Sequence, residues 1–321
     1  MKKYTAILGK LFVAFICALA CWLLYHKLKA YSLHEIIESI LCIHPAQLAA
    51  GIVLVIINYI ILIGYDWLAI KAIHRRLSPL KICFVSFTGC AVSYNLGAIL
   101  GGTTVRYRLY SAWGFHPLDI IRLVLMLAVT FWIGALGLAG GVLLFANVHV
   151  PPELGISPAH IKPVGGMLFA LAMFYLFICW KARGRSIMLF KKEFSLPTLP
   201  IAFAQTCVAS ADLLVAAACL YVLLPADASI SFADFLPSYL LAQVAVVLTH
   251  VPGGVGVLEV ILMHIVHGVS PELLFGAVLV FRVLYYLIPL ALSAVMLLSY
   301  EVKLRKRGSG QLADDVQRTR L

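Results

Sequence analysis

Charge is what this sequence has least of. Only 12% of its 321 residues are Asp, Glu, Lys or Arg, about half of the roughly 25% that a soluble globular chain carries. Hydrophobic residues make up 63% and the mean hydropathy is +1.00, more apolar surface than a water-surrounded core of this length absorbs. A soluble enzyme or binding module is thereby excluded. Catalytic signatures are lacking too. There is no Walker sequence, no serine-hydrolase elbow, no HExxH and no GxGxxG, so the motifs that hold phosphates, nucleophiles, zinc or dinucleotides give no support to those chemistries. The eight cysteines (Cys17, Cys21, Cys42, Cys83, Cys90, Cys179, Cys207, Cys219) are scattered, mostly inside apolar runs, and form no CxxC pair. They read as small packing residues and not as a disulfide or zinc framework. His264 and His267 stand at i and i+3, but no nearby carboxylate completes a metal site. No metal and no cofactor is expected.

What is present is a series of apolar runs near the length that crosses a hydrocarbon core. They fall at about 7 to 25, 48 to 70, 83 to 101, 121 to 146, 164 to 180, 200 to 224, 235 to 250, 254 to 267 and 273 to 299. Lys2 and Lys3 precede the first, and Ala18-Leu19-Ala20-Cys21 faintly resembles a lipoprotein cleavage site. The run continues through Trp22, Leu23 and Leu24, which suits an uncleaved anchor. Beyond it, Ser32 and Glu35 make a capping box, and Leu33, Ile36, Ile37, Ile40 and Leu41 share one helical face before His44-Pro45. The pattern fits a helix lying along the membrane surface, or a packed extracellular helix.

The net charge of +11 would raise the question of nucleic acid in a soluble protein. Here the basic residues sit between apolar runs and report topology instead. If every run spans once from a cytoplasmic N-terminus, the cluster Lys181, Arg183, Arg185, Lys191 and Lys192 lies outside, against the positive-inside rule. If residues 83 to 101 instead dip in and return on the cytoplasmic side, and 235 to 267 form a broken hairpin entered from outside, the count is 21 Lys and Arg inside. Three lie outside (Lys27, Lys29, Lys162) and one, Arg282, lies within a span. The expected fold class is therefore an all-α polytopic membrane protein of about six full spans plus two re-entrant broken hairpins, with both termini cytoplasmic.

Both hairpins are broken by glycine, in LGAILGGTTV (Gly97, Gly101, Gly102) and HVPGGVGV (Gly253, Gly254, Gly256). Irregular backbone at membrane depth is tolerated only where protein or a watery cavity satisfies it, so the two breaks are expected to meet and enclose a polar cavity. Close helix packing or an ordinary loop is the plain alternative. The breaks divide the chain into 1–146, a first membrane half with a cytoplasmic-side hairpin; 147–163, a Pro-rich outer linker; 164–300, a second half with an outer-side hairpin; and 301–321, a charged cytoplasmic tail. The halves match in order and oppose in orientation, the pattern of an inverted repeat.

Asp66, Arg106, Arg108, Asp212, Glu259 and Arg282 lie within or at the edges of apolar segments, where a central charge costs about 2.5 to 3.5 kcal/mol on insertion scales. Mutual pairing or snorkelling accounts for them structurally. The functional alternative starts from GGTTVRYRLY, where Thr103 or Thr104 can cap a helix whose free N–H groups face an anion, with Arg106 and Arg108 supplying charge. Glu259, just after the second break, can pair with Arg282, accept a proton or hold an amine.

The segments GGTTVRYRLYSAWG, HVPGGVGVLEVI and FRVLYYLIPL, in this order, resemble the lysylphosphatidylglycerol synthase transmembrane family, which includes YbhN-like bacterial inner-membrane proteins and the flippase-like membrane portion of the multiple peptide resistance factor. The resemblance runs from the first span to about residue 300. It implies a multi-pass protein of the bacterial inner membrane that moves a phospholipid or other anionic lipid between leaflets, with Gly101, Gly102, Thr103, Thr104, Arg106, Arg108, Gly253, Gly254, Glu259, Arg282, Tyr285 and Tyr286 as lipid-binding residues. Asp66 and Asp212 are further intramembrane charges. After Tyr300 only a short charged tail remains, with no soluble aminoacyl-transferase domain, which argues against lysine transfer by this chain alone. The rival expectation is a membrane enzyme or accessory subunit that acts on a lipid head group or lipid-linked sugar with a soluble partner enzyme.

Overall fold

A computed structural model of the chain describes residues 43–145, 158–182, 186–189, 192–225, 228–249 and 251–318. The first apolar run and the surface helix expected before His44 lie outside the described residues. The described chain is helical: α1 (Pro45–Ala72), α2 (Pro79–Leu96), a π-helical turn (Ala98–Gly102), α3 (Thr103–Ala112), α4 (Pro117–Phe145) and α5 (Pro158–Ala182) come first. A short antiparallel hairpin, β1 (Ser186–Leu189) with β2 (Lys192–Ser195), follows. Then come α6 (Leu199–Val222), α7 (Phe232–Thr249), a 3-10 turn (Pro252–Gly254), α8 (Val257–Ile265), α9 (Pro271–Arg282), a second π turn (Val283–Leu287) and α10 (Ile288–Arg318).

The helix starts are written in the sequence. Proline stands in the first turn of α1, α2 and α9, where its missing N–H costs nothing. The His44 ring accepts from Ala46 N, the Gln47 side chain accepts from His44 N, and the Ser270 hydroxyl accepts from Leu273 N. Helix α5 begins at Pro158 and carries Pro163 inside it, so the C-terminal part of the proline-rich segment is helix and not linker.

Six described helices are long and apolar enough to cross a membrane: Pro45–Ala72, Pro117–Phe145, Ala159–Ala182, Leu199–Val222, Phe232–Thr249 and Pro271–Leu304. Helix α7 is among them, although the sequence pattern places it in a broken hairpin. The most apolar stretch of Pro271–Leu304 is 61% buried within the protein and that of Ala159–Ala182 only 17%, so the former is the central element and α5 the peripheral one. Helices α1 and α6 run antiparallel in close contact: Gly51 meets Leu223, and Gly64 meets Val208. Gly51 O also accepts from the Cys219 thiol.

Between these long helices sit two helical hairpins. In the first, α3 folds back along α2, so that Gly102 faces Ser93 and Gly89 faces Arg106. The glycine segment is thus the tip of the hairpin, and its returning limb is Thr103–Ala112, later in sequence than the apolar run suggested. Its open end is closed by the Lys81 ammonium, 5.4 Å from the centre of the Trp113 ring. In the second, α8 returns along α7, and the Ser229 backbone N–H and hydroxyl both donate to Gly268 O, at 3.2 and 3.3 Å. Each hairpin therefore ends beside the place where it began.

Candidate functional site

Two interruptions of regular helix converge near the end of α9, beside the last turn of α2. The 3-10 turn at the tip of the second hairpin, which packs against α2, places Gly253 and Gly254 at φ +67 and +58, a left-handed backbone that glycine adopts without a Cβ penalty. Their carbonyls point at Arg282, whose Nη1 donates to Gly253 O at 2.7 Å and whose Nη2 donates to Gly254 O at 2.9 Å. The same guanidinium grips Glu259, with Nε on Oε1 and Nη2 on Oε2 at 2.8 Å. Glu259 Oε2 in turn accepts from Gly256 N at 2.9 Å. Arginine and glutamate are both buried. Where a polar cavity was expected to satisfy the broken backbone, the arginine side chain itself does so, because its planar fork supplies several donors in one place.

The π turn directly after Arg282 is the second interruption. Its Tyr286 carbonyl accepts from Asn95 Nδ2 at 3.0 Å and its Tyr285 carbonyl from the Tyr59 hydroxyl at 3.2 Å. Asn95 belongs to the last turn of α2, beside the tip of the first hairpin. The Tyr94 ring lies 5.4 Å from that of Tyr285 and 5.9 Å from that of Tyr286. Six of the residues expected from sequence, Gly253, Gly254, Glu259, Arg282, Tyr285 and Tyr286, thus form one cluster.

Arg106 does not join them. Its Nε and Nη2 donate to the two oxygens of Asp66 at 3.0 and 2.8 Å, and Asp66 also accepts from the Tyr110 hydroxyl at 2.8 Å. Gly89 and Gly102 make room for this guanidinium, since a Cβ at either would come within 3.0 to 3.1 Å of it. Arg108 bonds Glu301 at 2.9 Å, a residue of the segment expected to be a tail. The anticipated anion cradle before α3 is also different in form. The N–H groups of Gly101 and Gly102 bond Gly97 O, that of Thr103 bonds Ala98 O, and the Thr103 hydroxyl donates to Ala98 O at 2.9 Å. The π turn runs straight into α3, so these backbone donors are used before any cap is needed. The expected charge set is therefore two neutral buried pairs, with Arg108–Glu301 as a third pair nearer the surface.

Asp212 stands apart from every arginine. It lies at mid-helix in α6, buried, and accepts from Asn58 Nδ2 at 3.0 Å and from the Tyr65 hydroxyl at 2.9 Å. The Asn58 side-chain oxygen accepts from the Tyr285 hydroxyl at 2.6 Å, which ties this network to the central cluster. Asn58, Tyr65, Tyr94, Asn95 and Glu301 were not singled out from sequence. The two asparagines were detectable as polar residues inside apolar runs, whereas nothing local marks which tyrosines turn inward. No group of three or more potential metal ligands occurs among the described residues. Among α4, α5 and α6 runs an open groove of about 580 Å³, lined by Gly137, Gly141, Phe169 and Met173, with Thr206 and Ser210 as its hydroxyl-bearing residues.

Comparison with known proteins adds two relatives. The chain is 35% identical over 286 residues to an uncharacterized protein of Synechocystis sp., covering 88% of each. It is 30% identical over 295 residues to the inner membrane protein YbhN of Escherichia coli, covering 91% of each. No family model matches.

Proposed function

The chain belongs to the YbhN-like family of inner-membrane proteins, and from that premise we propose that it is a carrier that moves a phospholipid or another anionic lipid between leaflets. The observation that carries this reading is the meeting of two broken helices and the end of α2 around the Arg282 segment, with Arg282 a cation held by backbone carbonyls and one carboxylate. Broken helices brought together from two halves of a chain are the build of a transport site. An entering phosphate competes with Glu259 for the same guanidinium fork, because Arg binds both in two-pronged fashion. The apolar groove beside α4 and α6 suits an acyl chain, which needs no polar partner.

In this reading the two hairpins re-enter from opposite faces, the halves form an inverted repeat, and both termini are cytoplasmic. Kinship to the flippase-like portion of the multiple peptide resistance factor belongs to the same proposal. Mass spectrometry of lipid co-purified with the chain, followed by a leaflet-transfer assay with that lipid in vesicles, tests it. Transfer that depends on the protein and falls at least about tenfold in Glu259→Gln, at equal folded and inserted protein, supports the carrier; a tenfold change corresponds to about 1.4 kcal/mol. Chemical turnover of the lipid without transfer points to the rival, a membrane enzyme working with a soluble partner.

A further inference from the structure

The buried carboxylate that the site description leaves without a task is Asp212. The helix α6 has 24 residues and so is about 36 Å long, and Asp212 sits near its middle. Its two oxygens accept from the Asn58 amide and from the Tyr65 and Tyr94 hydroxyls, all neutral. Around it α1 presents Asn58, Tyr59 and Tyr65, α2 presents Cys90 and Tyr94, α7 presents Tyr239, and the π turn presents Tyr285 and Tyr286. On α6 itself the ionisable neighbours are Cys207 and Cys219. From α9 comes Arg282, which is bonded to Glu259, and the Arg106 of the first hairpin is bonded to Asp66. Helix α4 meets this part of α6 through the Gly134 carbonyl, which accepts from Ser210. The ionisable groups of α4, Asp119 and Arg122, lie near its start, and on α5 Tyr175 pairs with Cys179. No cation among the described residues is bonded to Asp212.

Such a site can hold either protonation state. Hydrogen bonds from neutral donors favour the carboxylate, while burial without a counter-charge favours the acid. Neither form is left stranded, since a hydroxyl rotates to donate or to accept. On protonation one proton from hydronium adds to Oδ2, leaving water, and the Tyr65 oxygen turns to accept it; release returns the proton to water as hydronium, with no change in electrons. Access is suggested by Gln205, seven residues earlier on the same face of α6. Its amide is buried, and neither its nitrogen nor its oxygen has a protein partner. Orphaned polar groups of this kind are the usual seats of internal water, and this one lies between Asp212 and the Leu199 end of the helix.

We propose that Asp212 is a proton-binding site, filled through Gln205 from the Leu199 end of α6, that couples lipid movement to protons. The coupling rests on the carrier reading above; the proton site does not. Its message has a route, because Asn58 bonds both Asp212 and Tyr285, three residues beyond Arg282.

Infrared difference spectra of the full chain in nanodiscs of phosphatidylglycerol and phosphatidylethanolamine, between about pH 5 and pH 9, test the site without any lipid transfer. A protonated-carboxyl band equivalent to one proton per chain is expected to appear on acidification. It vanishes in Asp212→Asn, moves in frequency in Asp212→Glu and persists in Glu259→Gln, while Gln205→Leu slows its exchange by about tenfold. If Asp212→Asn does not fold, the frequency change in Asp212→Glu makes the assignment. No titrating band, or one indifferent to both Asp212 variants, overturns the proposal. The coupling is read in vesicles with fluorescently labelled phosphatidylglycerol. An imposed pH gradient should change its transfer at least about twofold in the wild type and not in Asp212→Asn. Transfer that ignores the gradient overturns the coupling, whereas absence of transfer with an intact band counts against the carrier reading alone.

Discussion

A buried arginine is tolerated only with its partners in place, and the two interior arginines differ in what those partners are. Arg282 satisfies a carboxylate and two backbone carbonyls at once, so Arg282→Ala strands all three. A loss of about 3 to 5 kcal/mol is the usual consequence of orphaning a buried partner, and the expected result is little folded protein by size-exclusion profile in detergent. Arg106 answers mainly to Asp66. Asp66→Leu alone should be similarly damaging, but Asp66→Leu with Arg106→Met removes both charges and should recover most of the folded yield, since an apolar replacement of a buried pair is often neutral. If that double variant folds yet transfers lipid normally, the first pair is structural. That these residues would be costly was readable from sequence. The Glu259–Arg282 pairing was among the sequence expectations, whereas the partner of Arg106 was not legible, because Asp66 lies 40 residues away and only the path of the first hairpin brings the two together.

The helices approach one another through glycine, and some of these contacts leave no room at all. A Cβ at Gly134 would sit 2.2 Å from the Ala209 Cβ, whereas one at Gly137, one turn on, would meet nothing closer than 3.6 Å. Gly134→Ala should therefore force α4 and α6 apart at a cost of about 1 to 3 kcal/mol, and Gly137→Ala should be neutral or slightly stabilising, as alanine in a helix usually is. Thermal aggregation midpoints of the two variants in detergent check the contrast. Long apolar runs announced α1, α4, α5 and α6 to within a few residues, because length and hydropathy alone define them. The π turn at Val283–Leu287 was hidden, since FRVLYYLIPL contains no glycine at that place and its proline, Pro289, comes after it. Its carbonyl partners, Asn95 and Tyr59, arrive from other helices.

At the scale of the whole chain the basic residues predict an orientation, and the ends of the hairpins make that prediction testable. On a cysteine-free background, Ser111→Cys should label only from the cytoplasmic side and Glu272→Cys only from the outer side with an impermeant maleimide. Outside labelling at Ser111 would defeat the first re-entrant hairpin. The pairing of α1 with α6 was not legible from sequence, since the two apolar runs share no local signal that names each other as partner. The buried pairs Asp66–Arg106 and Glu259–Arg282, and the Arg108–Glu301 pair nearer the surface, also have an electrical consequence. Each sums to zero, so this part of the protein carries no fixed countercharge to travel with a cargo. A singly anionic lipid crossing by itself would then move one full negative charge through the membrane field, gaining about 2.3 kcal/mol per 100 mV on the way out of an inside-negative cell. Such a lipid crossing outward together with one proton would feel the voltage hardly at all.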